Sequence, residues 1–193
     1  MRSINPNEEV DMSKIELKIM PDMLMKDMRK TYGQWTPVEP DDTLKIGVMV
    51  GHAVIGGFVF ATVRPDEEDE PITTVKALES FAVRPIKDIY KNTKRLMSYI
   101  MLSKEVQEVL SQYVSHQNTD FFEPSKAVKT VDTIVIEATV LKTTIAKYKD
   151  IMTFDTYENL GNGEFLVKYK SKAGQWTLKE AVAKWEGKNN EVK

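Results

Sequence analysis

The stretch ALESFAVRPIKDIYKNTKRLMSYIML, residues 77–102, decides how the rest of the chain is read. It opens as an apolar strand, Ala77-Leu78-Glu79-Ser80-Phe81-Ala82-Val83, and turns at Arg84-Pro85. It then runs into a helix whose apolar positions include Leu96, Met97, Ile100 and Met101. A strand that enters a helix through a short loop exposes the helix's first, unpaired N–H groups and the positive end of its dipole. Many α/β proteins hold a phosphate at such a point. The chemistry of this loop is therefore the first question the chain poses.

Upstream, Leu44–Val50 and Ala53–Val63 form a hairpin around Gly51-His52, and Thr73–Val83 adds a third strand of a meander. Gly56-Gly57 inside the second strand marks a bulge or a close backbone approach. Before the hairpin, Ile15, Leu17 and Ile19 alternate with Lys14, Glu16 and Lys18, the period of a half-buried strand. Pro21-Asp22 then opens a short helix, Met23–Tyr32, and Trp35–Asp42 is a proline-punctuated loop. A second loop, Arg64–Pro71, carries the run Asp66-Glu67-Glu68-Asp69-Glu70, read as solvated rather than as a metal site.

Downstream, Ser103–Val114 continues a helical pattern and Ser115–Lys129 reads as a loop. Thr133–Val140 is β-branched and almost continuously apolar, which predicts a central strand with a parallel neighbour. A helix follows over Thr143–Met152. A final hairpin pairs Phe154–Tyr157 with Glu164–Tyr169 through Asn159-Leu160-Gly161-Asn162-Gly163. The tail carries Trp176 and a helix over Leu178–Trp185. The order β-α-β-β-β-α-β-α-β-β predicts an α+β fold, a mixed and mostly antiparallel sheet flanked by helices. Residues 1–13 read as a flexible N-terminal arm, 14–170 as the folded domain and 171–193 as a C-terminal extension with a short helix.

Composition narrows the function. The chain has 193 residues, 41% hydrophobic and 29% charged, enough for one domain with a real core. A net charge of -2 leaves no general electrostatic footprint for nucleic acid. No apolar run reaches the roughly 18 residues that span a bilayer, so no membrane role is expected. The absence of cysteine excludes disulfides, a thiol nucleophile and thiolate ligands. His52 and His116 lie far apart with no carboxylate at ligand spacing, so no metal site is expected. No serine sits in a glycine-flanked nucleophile turn, and no dinucleotide or Walker glycine pattern follows a strand. Trp35, Trp176 and Trp185 read as covers for core edges or as partner anchors.

The element order, with Val83-Arg84-Pro85 after the fourth strand, resembles the GNAT superfamily of acyl-CoA N-acyltransferases over roughly residues 15–170. The resemblance implies that strands four and five splay apart and that the loop between strand four and the next helix cradles a coenzyme A pyrophosphate. In the superfamily that loop reads V-x-P-x-x-(R/Q)-x-x-G-x-(G/A)-x-x-L, the glycines letting backbone amides approach the phosphates. Val83, Pro85 and Leu96 match it. Asp88 stands at the Arg/Gln position, Lys91 at the first glycine and Thr93 at the second small residue. These side chains crowd the cradle and set a like charge beside the phosphate, although Lys91, Lys94 and Arg95 offset some repulsion.

The resemblance further implies a main-chain N–H near Ala82 or Val83 for a thioester carbonyl and a loop contact set of Lys91, Asn92, Thr93 and Lys94. It makes Glu79 the candidate general base and Tyr148 the candidate proton donor to the leaving thiolate. Glu79 also reads as an exposed or salt-bridged strand residue, and Tyr148 as packing at a helix edge. Three readings stay open. One is a GNAT-like scaffold without coenzyme, a structural or interaction module with a protein partner, of the kind found in bacteriophage particles. Another is an active acetyl-CoA-dependent N-acetyltransferase acting on a small-molecule or protein amine. The third is an unrelated α+β fold. The expected location is the cytoplasm or a phage particle.

Overall fold

The computed structural model describes residues 11–32, 43–82, 93–119, 130–141 and 151–191. After a 3-10 turn at Met12–Lys14 come β1 (Ile15–Ile19), α1 (Asp22–Tyr32), β2 (Leu44–Val50), β3 (Ala53–Val63) and β4 (Thr74–Ala82). They are followed by α2 (Thr93–Met101), α3 (Lys104–Thr119), β5 (Thr133–Leu141), β6 (Phe154–Gly161), β7 (Glu164–Lys172) and α4 (Leu178–Glu191). The strands form one seven-stranded sheet in the order β1-β2-β3-β4-β5-β7-β6. Only β4 and β5 run parallel; the other neighbours are antiparallel. This is the mixed α+β sheet expected from the element order.

Each face of the sheet has its own core. On one, Leu44, Ile46, Val48 and Val50 of β2 meet Leu96, Met97, Ile100 and Met101 of α2, Val106, Leu110 and Val114 of α3, and Trp185 of α4. On the other, Met49, Val54, Val59 and Phe81 meet Met20 and, on α1, Met25. β2 is buried along its whole length because both faces are covered, which explains its almost unbroken apolar run.

The pattern from Thr93 to Thr119 resolves into two helices. Leu102 N and Ser103 N donate to the i−3 carbonyls of Tyr99 (3.3 Å) and Ile100 (2.9 Å), tightening the last turn. Ser103 Oγ then accepts from Val106 N at 3.3 Å and caps α3. The chain before α4 holds this break in place: Gln175 N donates to Leu102 O (2.8 Å) and Lys104 N to Trp176 O (2.7 Å). Leu178 N donates to Glu105 Oε2 at 2.7 Å.

The helix α3 also runs to Thr119, beyond the expected end at Val114, so Ser115–Asn118 are helical rather than loop. The reason is Asn118, one turn past Val114 on the inward face and 1% exposed. Its amide satisfies both main-chain groups of Ile72, accepting from Ile72 N at 2.9 Å and donating to Ile72 O at 3.1 Å. The last hairpin turns on two residues, Asn162 (φ 54) and Gly163 (φ 78), so both strands are longer than their apolar cores suggest. Two successive positive φ values are the geometry in which Asn-Gly is favoured.

Residues 1–10 of the expected arm over 1–13, the loop over 35–42 and residues 143–150 of the expected helix Thr143–Met152 lie outside the described residues. Ile151 and Met152, the last two residues of that expected helix, form a turn and are buried in the larger core. None of the described helices is long and apolar enough to cross a membrane.

Candidate functional site: a fork between the fourth and fifth strands

The parallel ladder between β4 and β5 covers only Thr74↔Thr133 to Ala77↔Ile136. Beyond it the two strands keep their other partners. β4 continues along β3 from Glu79↔Val59 to Ala82↔Gly56, and β5 continues along β7 from Glu137↔Lys168 to Leu141↔Glu164. Residues 78–82 and 137–141 therefore line the two arms of a fork, as the splay expected for strands four and five requires.

A bulge sits where the fork opens. Phe60 pairs with Ala77 and Val59 with Glu79, which leaves Leu78 as the extra residue on β4. The side-chain alternation changes phase there. Val75 and Ala77 face the larger core, whereas Phe81 faces the smaller one against α1. By the same alternation, Glu79 points to the α1 face, opposite the face that carries α2. It is 7% exposed. Strand and helix meet closely above the fork: a Cβ on Gly56 would lie 2.6 Å from Phe81 O and also collide with the Met97 thioether of α2.

Two charged pairs flank Glu79. At the fork, Lys76 Nζ and Glu137 Oε2 form an ion pair of 2.7 Å across β4 and β5, each about one-third exposed. On the other side, Lys45 shares a cross-strand row with Val59 and Glu79. Lys45 is 8% exposed; its Nζ donates to Thr43 Oγ1 at 2.7 Å and pairs with Asp22 Oδ1 at 3.1 Å. A buried ammonium and a buried carboxylate two strands apart, about 10 Å at the main chain, make this face of the fork polar within an apolar sheet. Neither Lys45 nor the Lys76–Glu137 pair was among the expected site residues. Lys45 was legible as the single charge within Leu44–Val50, but a single charge does not reveal which face it shares.

Of the expected site residues, Glu79, Ala82, Thr93 and Lys94 are described. Ala82 ends β4, half-buried and opposite Gly56. Thr93 is the first residue of α2 and Lys94, exposed, the second. Arg95 lies over the Tyr99 ring, 5.8 Å from its centroid. The structure thus brings Ala82 and Glu79 to one arm of the fork, on the strand that leads to α2. Val83, Lys91, Asn92 and Tyr148 lie outside the described residues.

His52, in the β2–β3 turn, and His116 are both exposed. Among the described residues, no three acidic or histidine side chains are placed to hold a metal ion. A cavity of about 430 Å³ lined by Arg64, Glu67, Glu68, Glu70 and Asn118 lies at the opposite end of β4 from the fork. Trp176 covers the α2–α4 junction, its Nε1 donating to Tyr99 O at 2.7 Å.

Comparison with known proteins adds the following. Residues 12–190 match the family model described as the phage GNAT-like domain. No curated protein sequence matches the chain. Similar solved structures include a Bacillus subtilis acetyltransferase in complex with CoA (12% identity, 82% of this chain and 97% of that one, TM-score 0.49). Others are an IAA acetyltransferase from Bacillus cereus (12%, 82% and 99%, TM-score 0.44) and an N-acetyltransferase from Staphylococcus aureus (10%, 82% and 97%, TM-score 0.45).

Proposed function

The chain belongs to the phage GNAT-like domain family, and from that premise we propose that it is a non-catalytic structural or interaction module with a protein partner, working within a bacteriophage particle. The observation that carries this reading is the connection between β4 and α2. Residues 83–92, Val-Arg-Pro-Ile-Lys-Asp-Ile-Tyr-Lys-Asn, contain no glycine. Thr93, at the second small position of the pyrophosphate pattern, is already the first residue of α2. A pyrophosphate needs bare amides at that helix end; here it would meet a β-branched side chain, Lys91 two residues earlier and the carboxylate of Asp88. Acetyl-CoA does not fit this residue set.

The second reading, an acetyl-CoA-dependent N-acetyltransferase acting on a primary amine, is favoured by the fork itself and by Glu79 buried on the face away from α2. A base on that face would take a proton from an amine entering opposite the coenzyme.

Thermal unfolding with acetyl-CoA separates the two. A ligand at 100 times its dissociation constant adds about 2.7 kcal/mol, which for a chain of this size raises Tm by about 5–10 °C. The module reading expects no rise at millimolar acetyl-CoA. A rise of that size overturns it and restores the enzyme.

A further inference from the structure

The sheet is two half-sheets joined by a short seam. β3 holds β4 from Thr74 to Ala82, and β7 holds β5 from Thr133 to Leu141. β4 and β5 hold each other only from Thr74↔Thr133 to Ala77↔Ile136. That seam is a parallel ladder, the less stable kind per residue. It is fixed at one end, where Asp132 N donates to Thr73 O at 3.0 Å and Ala173 N to Asp132 O at 2.8 Å. At its other end it runs out into the fork. Two stiff parts joined at one end by a short ladder form a hinge.

One ion pair lies at the open end of this seam. Lys76 faces Val135 in the register, yet its Nζ reaches past the last rung to Glu137 Oε2, 2.7 Å away. Glu137 is the first residue of β5 without a partner on β4. A bond placed there, far from the fixed end, resists opening with a long lever arm.

Glu137 also has a second cation within reach. Lys168 stands directly opposite it on β7, where facing Cβ atoms are about 5 Å apart. All three charges share one face of the sheet, because Val75, Ile136 and Val167 beside them turn to the larger core. Among the described residues, Lys168 forms no ion pair.

We infer that Glu137 is a two-position clasp on the fork. Bonded to Lys76, as in this structure, it holds the half-sheets together where they part. Transferred to Lys168, it lets β4 swing away without leaving a carboxylate unpaired. The first bond spans the two half-sheets and the second lies within one of them, so the choice of partner is coupled to the hinge angle. An occupant of the fork meets the clasp at its floor, and this holds under either reading of the function.

Amide hydrogen exchange on the full chain tests it, with residues 74–77 and 133–136 reporting on the seam and Leu44–Val50 of β2 as the control. Lys76→Met should speed exchange at the seam about two- to fivefold, the range for one partly exposed ion pair, and leave the control unchanged. Lys168→Met removes the partner of the open position and should slow the seam instead. In a Glu137→Gln background both lysine variants should be silent. A seam indifferent to Lys76→Met overturns the inference, and so does a rise that the control shares, which would report lost global stability. Lys168→Met that fails to slow the seam overturns it as well, because the three charges would then be one static cluster.

Discussion

Replacing Trp185 with alanine is expected to lower the stability of the fold by about 3–5 kcal/mol, the range for truncating a fully buried tryptophan. Trp185 is 1% exposed and is among the largest fully buried side chains. It carries α4 into the core formed by β2, α2 and α3. The strain reaches further than one cavity, because the segment before α4 also holds the break between α2 and α3 through Gln175, Trp176 and Glu105. A loosened α4 frees those bonds as well. Since a domain's whole stability is about 5–15 kcal/mol, the variant loses a large share of it. Urea unfolding checks this: the midpoint should fall while the slope stays unchanged, and Tm should drop by roughly 10 °C or more. An unfolding free energy within about 1 kcal/mol of wild type would mean that α4 is an appendage rather than part of the core.

The second large effect is expected at Gly56. An added Cβ meets Phe81 O at 2.6 Å as well as the Met97 thioether. The methionine is flexible and can rotate, but the carbonyl belongs to β4, which Gly56 pairs through Ala82. The strands must shift, and Gly56→Ala should cost about 1–3 kcal/mol, with Gly56→Val at or beyond the upper end. Met97→Ala in the Gly56→Ala background separates the causes. Measured as a double-mutant cycle, costs that add assign the collision to the carbonyl, and a double variant less destabilised than the sum of the two single variants assigns it to the thioether.

These residues also show what the sequence made legible. Gly56-Gly57 announced a close approach by lacking side chains inside a strand, and the structure supplies the neighbour in Phe81 and Met97. Strands β2, β3 and β5 were readable because β-branched and apolar runs between turn residues have few other solutions. The bulge at Leu78 leaves no mark in the sequence: Ala77 packs on the larger core and Leu78 against the smaller one, as ordinary alternation requires, and the phase changes only between Leu78 and Glu79. The break at Leu102-Ser103 left no glycine or proline to mark it. It is held by contacts from Gln175, Trp176 and Leu178, distant in sequence. Asn118 misled for the opposite reason. A polar residue in a Ser-His-Gln-Asn run reads as loop, and only the buried carbonyl and amide of Ile72 make it an inward helical position. At the fork, the resemblance singles out Glu79 by its place on strand four, whereas Lys45 needs the register that puts it in line with Val59 and Glu79.

The central claim is that the β4–α2 connection has the position of a pyrophosphate cradle but carries side chains where bare backbone is needed. Calorimetric titration of acetyl-CoA into the wild-type chain, alongside Lys91→Gly/Thr93→Gly, tests it most directly. The account predicts no binding heat for the wild type up to millimolar coenzyme and a measurable affinity once the two glycines are present. Binding by the wild type at micromolar coenzyme would contradict it.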